Sequence, residues 1–228
     1  KVTQSKQLPY AYYLEQVDHI DDLPGYAQGS FFMQDIGSMQ VVELAGIKPG
    51  DAVIDVCAAP GGKAMHALAK LHGKGSVQAR DLTENKVSMI EENIERCAGA
   101  ADTIEVLVWD ARILDPQAVE KADVVIADLP CSGLGVIGRK SDIKYRMTPE
   151  QVADIAALQR EILSVVWQYV KPGGILMYST CTLTKAENQD NRDWFLENSP
   201  FTLLEEKELL PSAETDGFYM IKCRRNKA

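Results

Sequence analysis

Asp51-Ala52-Val53-Ile54-Asp55-Val56-Cys57-Ala58-Ala59-Pro60-Gly61-Gly62-Lys63-Ala64 is the stretch on which the fold turns. Its apolar run, residues 52–56, lies between Pro49-Gly50 and Pro60-Gly61-Gly62. A short apolar run bounded by turn residues reads as a buried strand. Residues 63–71 follow as a helix that stops near Gly73, so the unit is strand, tight loop, helix.

Outward from this unit the same alternation repeats. Residues 76–79 read as a second strand, and residues 84–97 as a second helix with Val87, Ile90, Ile94 and Cys97 on one face. Residues 104–108 and 123–127 read as the third and fourth strands. A Gly-rich loop then runs from Asp128 to about Met147. Thr148-Pro149-Glu150 opens a long helix, with Thr148 as N-cap and Pro149 in its first turn. Val152, Ile155, Ile162, Leu163, Val166, Trp167 and Val170 form its apolar face, and Pro172-Gly173-Gly174 is expected to end it. Residues 175–179 read as the fifth strand, residues 185–197 as a helix, and residues 201–204 and 217–222 as closing strands. Residues 1–50 are mixed and turn-rich. They read as an N-terminal extension packing on a catalytic domain of residues 51–228. Strands alternating with helices predict an α/β fold, a mostly parallel sheet with helices on both faces. Such sheets bind ligands beyond the carboxyl ends of their strands.

Composition sets the outer limits. The 228 residues are 46% hydrophobic and 25% charged, which excludes disorder throughout. The formal charge of −9 is unusual for a nucleic-acid binder, because phosphate contacts come from Lys and Arg. Basic residues must then gather at one mouth, or another domain must supply affinity. The chain opens on Lys1 and reads as a piece of a longer protein. The five cysteines include no C-x-x-C pair, so neither a disulfide framework nor a metal site is expected, and a reducing compartment is. No signal peptide is evident and no apolar run approaches ~18 residues, so a cytoplasmic protein with no membrane partner is expected.

The loop from Cys57 to Lys63 lets a ligand approach the backbone and offers the free N–H groups of a helix start. It is not G-x-G-x-x-G, which disfavours a dinucleotide, and Ala64 lacks the hydroxyl of a P-loop. Asp81, just past the second strand, can accept from both ribose hydroxyls of a nucleoside. Asp110, after the third strand, can approach an adenine edge. Carboxylates without a phosphate cradle suit a cationic sulfonium nucleoside such as S-adenosyl-L-methionine.

Strand four ends in Asp128-Leu129-Pro130-Cys131-Ser132-Gly133 and strand five in Ser179-Thr180-Cys181-Thr182, which brings two cysteines to one edge of the sheet. Carbon 5 of cytosine is a poor nucleophile until a group adds to carbon 6. A thiolate suits that addition and can leave afterwards. Asp128 is placed to stabilise charge on ring N3 or the exocyclic amine. Cys57, Cys97 and Cys223 read as small buried side chains or backbone contacts.

On these residues the chain resembles RNA cytosine-5 methyltransferases of the Sun/RsmB type, relatives of the eukaryotic NSUN proteins. The matching stretches are residues 55–63 (DVCAAPGGK), 128–143 (DLPCSGLGVIGRKSDI) and 178–182 (YSTCT), with Glu187-Asn188, Gln34-Asp35 and Asp216-Gly217-Phe218-Tyr219. The resemblance covers nearly the whole chain. It implies a Rossmann-like methyltransferase sheet and methylation of cytosine in RNA, expected to be ribosomal RNA, to 5-methylcytosine. It further implies Cys181 as the attacking thiol, Cys131 as an assistant to product release and Asp128 at the boundary between methyl donor and base. Cofactor contacts would come from Cys57, Ala58, Ala59, Pro60, Gly61, Gly62, Lys63, Asp81, Asp110 and Asp128. Two departures stand out. The family's N-terminal helical RNA-binding domain, related to NusB, has no counterpart in this chain, and Arg80 occupies a position that is usually apolar.

Transfer RNA is an alternative acceptor that would leave the catalytic loops unchanged. A DNA-type enzyme would place its nucleophile at Cys131 alone, so Cys181 favours the RNA type. A non-catalytic RNA-binding assembly factor would not need Cys131, Cys181, Asp128 and Lys63 together. A dinucleotide oxidoreductase is a more distant reading.

Overall fold

A computed structural model describes residues 1–98 and 103–227. Seven strands form one sheet: β3 (Ala52–Asp55), β4 (Ser76–Asp81), β5 (Ile104–Val108), β6 (Ala122–Asp128), β7 (Val170–Thr180), β8 (Phe201–Leu209) and β9 (Phe218–Arg225). Their spatial order is β5-β4-β3-β6-β7-β9-β8. The first five run parallel, while β9 lies antiparallel to both β7 and β8. The expected α/β architecture is thus the one observed. A separate hairpin, β1 (Val2–Gln4) with β2 (Tyr12–Leu14), precedes it.

The period-two alternation of strand side chains sorts the core into two layers. Val53, Val77, Val124, Ile126, Met177 and Met220 face α1 (Ile36–Ala45), α2 (Gly62–Leu71) and α3 (Glu84–Ala98). Ile54, Val125, Ala127, Leu176, Tyr178, Tyr219 and Ile221 face α5 (Pro149–Val166) and α6 (Gln189–Asn198). Apolar cover on both faces is what a parallel sheet requires. Among the described residues no helix is long and apolar enough to cross a membrane.

Several local expectations need correction. Pro172-Gly173-Gly174 does not end α5. The helix stops at Val166, a 3₁₀ turn spans Trp167–Tyr169, and the Pro-Gly-Gly lies inside β7. Val170, expected on the helix face, pairs with Ala122 at the start of the strand. The register shifts between Ala122 and Val124 to accommodate the extra residues, with Gly173 at φ +83. This is the use of glycine at a bulge rather than at a helix stop. The helix expected over 185–197 begins only at Gln189. The long loop after β6 holds a 3₁₀ turn at Leu134–Val136 and a short helix, α4 (Ile143–Arg146).

Sequence reading also missed α1. Asp35 caps it, accepting from the Gly37 N–H at 2.8 Å, and Gly46 closes it in the left-handed region. The helix places Val41, Val42 and Ala45 in the core. The N-cap of α5 is as expected: Thr148 accepts from Gln151 N–H while the Gln151 side chain accepts from Thr148 N–H, a complete capping box.

Candidate active site

The carboxyl ends of β3, β4, β6 and β7 converge on one edge of the sheet. From β3 the chain enters the loop Cys57–Gly61, where Ala58 N–H donates to Arg80 O at 2.8 Å. Gly61 adopts φ +104 at the start of α2, a conformation that favours glycine. Asp81 is buried and turned toward this loop. One of its oxygens accepts from Ala59 N–H at 3.0 Å, and the other accepts from Leu82 N–H at 2.8 Å and pairs with Lys86 at 3.0 Å. Trp109 N–H donates to Asp81 O at 2.8 Å, which joins the loop after β5 to the same corner. Asp110 follows, held in a forked pair by Arg112 at 2.7–3.2 Å. That hydrogen bond keeps its carboxyl below the usual range.

Lys63, in the first turn of α2, reaches back under the sheet edge. Its Nζ lies 2.5 Å from Asp128 Oδ2 and 3.1 Å from Ser38 Oγ of α1. The other Asp128 oxygen accepts from Ser179 Oγ at 2.6 Å. Burial works against the Lys63 ammonium, but Asp128 and Asp55 raise its pKa above the ordinary value.

Asp55 closes β3 fully buried, and among the described residues neither of its carboxylate oxygens has a hydrogen-bond partner. Burial pushes its pKa up to about 7, with Lys63 opposing the shift and Asp128 adding to it. A buried polar group without partners is costly. This carboxylate therefore marks a position suited to a cationic ligand. Burial, with the nearby acids, also pushes the Cys57 thiol up.

The two loop cysteines meet. Cys131 Sγ and Cys181 Sγ are 3.1 Å apart, at the ends of adjacent strands. The hydrogen bond between the two sulfurs lowers the Cys181 pKa, with help from Lys63 and against burial and Asp128. The same bond, then burial and Asp128, raises the Cys131 pKa. Both shifts favour the thiolate on Cys181 over Cys131. Close backbone packing fixes the geometry: Gly135 N–H donates to Cys181 O at 3.0 Å. A Cβ on Gly135 would come within 2.2 Å of Gly217 O, so only glycine fits.

Of the residues singled out from sequence, Asp128, Cys131, Cys181 and Lys63 form one cluster, with Asp81 and the residue 57–62 loop beside it. Asp110 lies outward, engaged by Arg112. In the loop after Cys131, which also carries Lys140, Lys144 and Arg146, Arg139 bridges Asp35 at 3.2 Å and Asp216 at 3.1 Å. Arg146 pairs with Asp142 at 3.4 Å. Sequence reasoning did not select Asp55, Ser38, Ser179 or Arg112. An acid closing an apolar strand was a visible signal for Asp55. The other three are recognisable only through contacts with distant or flanking residues.

A family model described as 16S rRNA methyltransferase RsmB/F matches residues 42–223. Ribosomal RNA small subunit methyltransferase B of Vibrio cholerae is 36% identical over 228 residues, covering 95% of this chain and 51% of that protein. The chain spans about half the length of the curated relatives it matches. Among solved structures, NSun6 from Pyrococcus horikoshii, determined with SFG, superposes with a TM-score of 0.84 at 29% identity, covering 93% of this chain and 57% of that one. A methyltransferase homolog protein from Pyrococcus horikoshii gives a TM-score of 0.79 at 28% identity, covering 91% and 72%.

Proposed function

The chain belongs to the 16S rRNA methyltransferase RsmB/F family, and from that premise we propose that it transfers a methyl group from S-adenosyl-L-methionine to carbon 5 of a cytosine in small-subunit ribosomal RNA. The observation that carries this reading is the 3.1 Å approach of Cys131 and Cys181 beside the Lys63–Asp128 pair. In this reading residues 1–50 are an extension packed on a methyltransferase domain of residues 51–228, and the protein works in the cytoplasm, where ribosomal RNA is its partner.

The residues present fit the cofactor. The partnerless Asp55 carboxylate, the close backbone of Cys57, Ala58, Ala59, Pro60, Gly61 and Gly62, and the acids Asp81, Asp110 and Asp128 suit a cationic nucleoside. When bound, S-adenosyl-L-methionine supplies an electrophilic methyl group. Lys63 holds Asp128 in place, and Asp128 stabilises charge at the pyrimidine N3 or exocyclic amine. The Cys181 thiolate forms a bond to carbon 6, and the ring electron pair moves to carbon 5. After carbon 5 is methylated, its proton passes to a base. The electron pair re-forms the ring double bond, and the carbon–sulfur bond breaks to return the thiolate. Cys131, the neighbouring thiol, assists this release.

Incubation with small-subunit ribosomal RNA and methyl-labelled cofactor, followed by bisulfite sequencing, tests the reading. Label at carbon 5 of a cytosine is expected. Label confined to other positions, or none, would overturn it.

A further inference from the structure

Glu187 and Asn188 are consecutive, fully buried and absent from the chemistry above. Neither makes a hydrogen bond to a cysteine, yet each grips the loop of one. The Glu187 carboxylate accepts from Ser132 N–H at 2.8 Å and Ser132 Oγ at 2.5 Å, which fixes the residue next to Cys131. It also accepts from Gln159 Nε2 at 3.2 Å and Thr184 Oγ1 at 2.7 Å. Asn188 holds both neighbours of Cys181: its Oδ1 accepts from Thr180 Oγ1 at 2.7 Å, and its Nδ2 donates to Thr182 O at 3.0 Å. Ser132 Oγ and Thr182 Oγ1, 2.8 Å apart, join the two halves.

We propose that Glu187 and Asn188 form a clip that sets the separation and orientation of Cys131 and Cys181, acting as positioning residues for both thiols. The proposal rests on the methyl-transfer reading for its purpose, though not for its geometry. Two thiols that serve one base must stand at fixed positions relative to adjacent ring atoms. A small displacement of a reacting group lowers a rate steeply. The loops that carry these cysteines belong to different strands whose pairing ends at Asp128 and Thr180; beyond it the backbone bond from Gly135 N–H to Cys181 O holds the loops together, and the clip adds side-chain contacts on both cysteines' neighbours. An amide in place of this buried carboxylate can keep the two N–H donors on its oxygen, but its NH₂ then stands where Oε1 accepted from Ser132 Oγ and Thr184 Oγ1, so both hydroxyls must turn and the link from Ser132 to Thr182 is rearranged.

Thiol–disulfide exchange measures the geometry without catalysis. With oxidised dithiothreitol, the two thiols are oxidised to a Cys131–Cys181 disulfide and the reagent is reduced to its dithiol. The exchange equilibrium constant, with the bridge identified by mass mapping, should fall at least about tenfold in Glu187→Gln, in Asn188→Ala and in Ser132→Ala. Ser132→Ala removes a single hydroxyl and decides the matter if either of the others fails to fold. An unchanged constant in the folded variants would overturn the clip.

A second measurement separates the two halves. In single turnovers with RNA, Glu187→Gln should retain methylated RNA on Cys181, because the loop of Cys131 has moved. Asn188→Ala should instead form the adduct more slowly. Identical kinetics in both variants and the unsubstituted chain would count against positioning. If the exchange constants fall while the unsubstituted chain transfers no methyl group, the clip stands and the methyl-transfer reading falls.

Discussion

Lys63 Nζ lies 2.5 Å from Asp128 Oδ2, and this one ion pair joins the first turn of α2 to the end of β6, two elements that bracket the buried Asp55 carboxylate. The lysine is therefore the cation that two acids share, one paired with it directly and one reached through space.

Asp55 makes this measurable. Its folded-state pKa of about 7 exceeds the ordinary 3.8, so the folded chain binds the proton more tightly than the unfolded chain does. Its contribution to stability is full below about pH 4 and is lost as pH rises toward 7, by up to about 1.4 kcal/mol per pH unit. Urea unfolding across this range should show that loss in the unsubstituted chain relative to Asp55→Asn. Replacing Lys63 by Met removes the opposing cation and should carry the loss to higher pH. Parallel curves for Asp55→Asn and the unsubstituted chain would contradict the assignment.

The cysteines should fail in different ways. Cys181→Ala should abolish methyl transfer, since carbon 5 then lacks its activating adduct. Cys131→Ala should leave methyl-labelled RNA attached to the protein on a denaturing gel. The reverse pattern would make Cys131 the nucleophile. Because the Cys131 hydrogen bond lowers the Cys181 pKa, the pH profile of Cys181 alkylation by iodoacetamide should also move upward in Cys131→Ala.

Asp81→Asn is expected to weaken S-adenosyl-L-methionine binding by ~1–3 kcal/mol, the range for leaving polar partners unpaired. Asparagine keeps an acceptor for Ala59 N–H, so the loop stays in place better than with alanine. Calorimetry that returns the same affinity would remove Asp81 from the cofactor site.

For RNA, neutralising Lys140, Lys144 and Arg146 together should lower affinity and flatten its salt dependence, by roughly 0.7–0.9 in slope for each phosphate that no longer meets a cation. Arg139→Ala should act differently. It frees Asp35 and Asp216 and loosens the segments they sit on, with the salt slope little changed. Filter binding over a salt series distinguishes the two, and an unaltered slope in the triple variant would show that this loop does not meet phosphate.

The parallel strands were legible because each is a short apolar run between turn residues, and the site loops were legible because they end those runs. Pro172-Gly173-Gly174 was not, since the same residues can stop a helix or build a bulge, and only pairing with Ala122 and Val124 distinguishes them. α1 escaped notice because Ile36, Gly37, Gln40, Val41, Val42 and Ala45 are buried around much of its circumference, leaving no clean amphipathic stripe. Glu187 sits in a charged stretch that reads as a solvated helix start. It is buried because Ser132, 55 positions earlier in the chain, folds onto it. The partners of Arg139, Asp35 and Asp216, likewise lie in segments remote in sequence.

The reversed direction of β9 has a practical corollary. Its first residue, Phe218, stands near the cysteine edge, while Arg225 pairs beside Phe201 at the opposite edge. The strand's 8 residues separate these ends by about 23 Å at ~3.3 Å per residue. An affinity handle, a surface tether or a fluorescent reporter joined beyond Arg225 would leave from the back of the sheet. Immobilised in that orientation, the protein would present its cysteine mouth to solution.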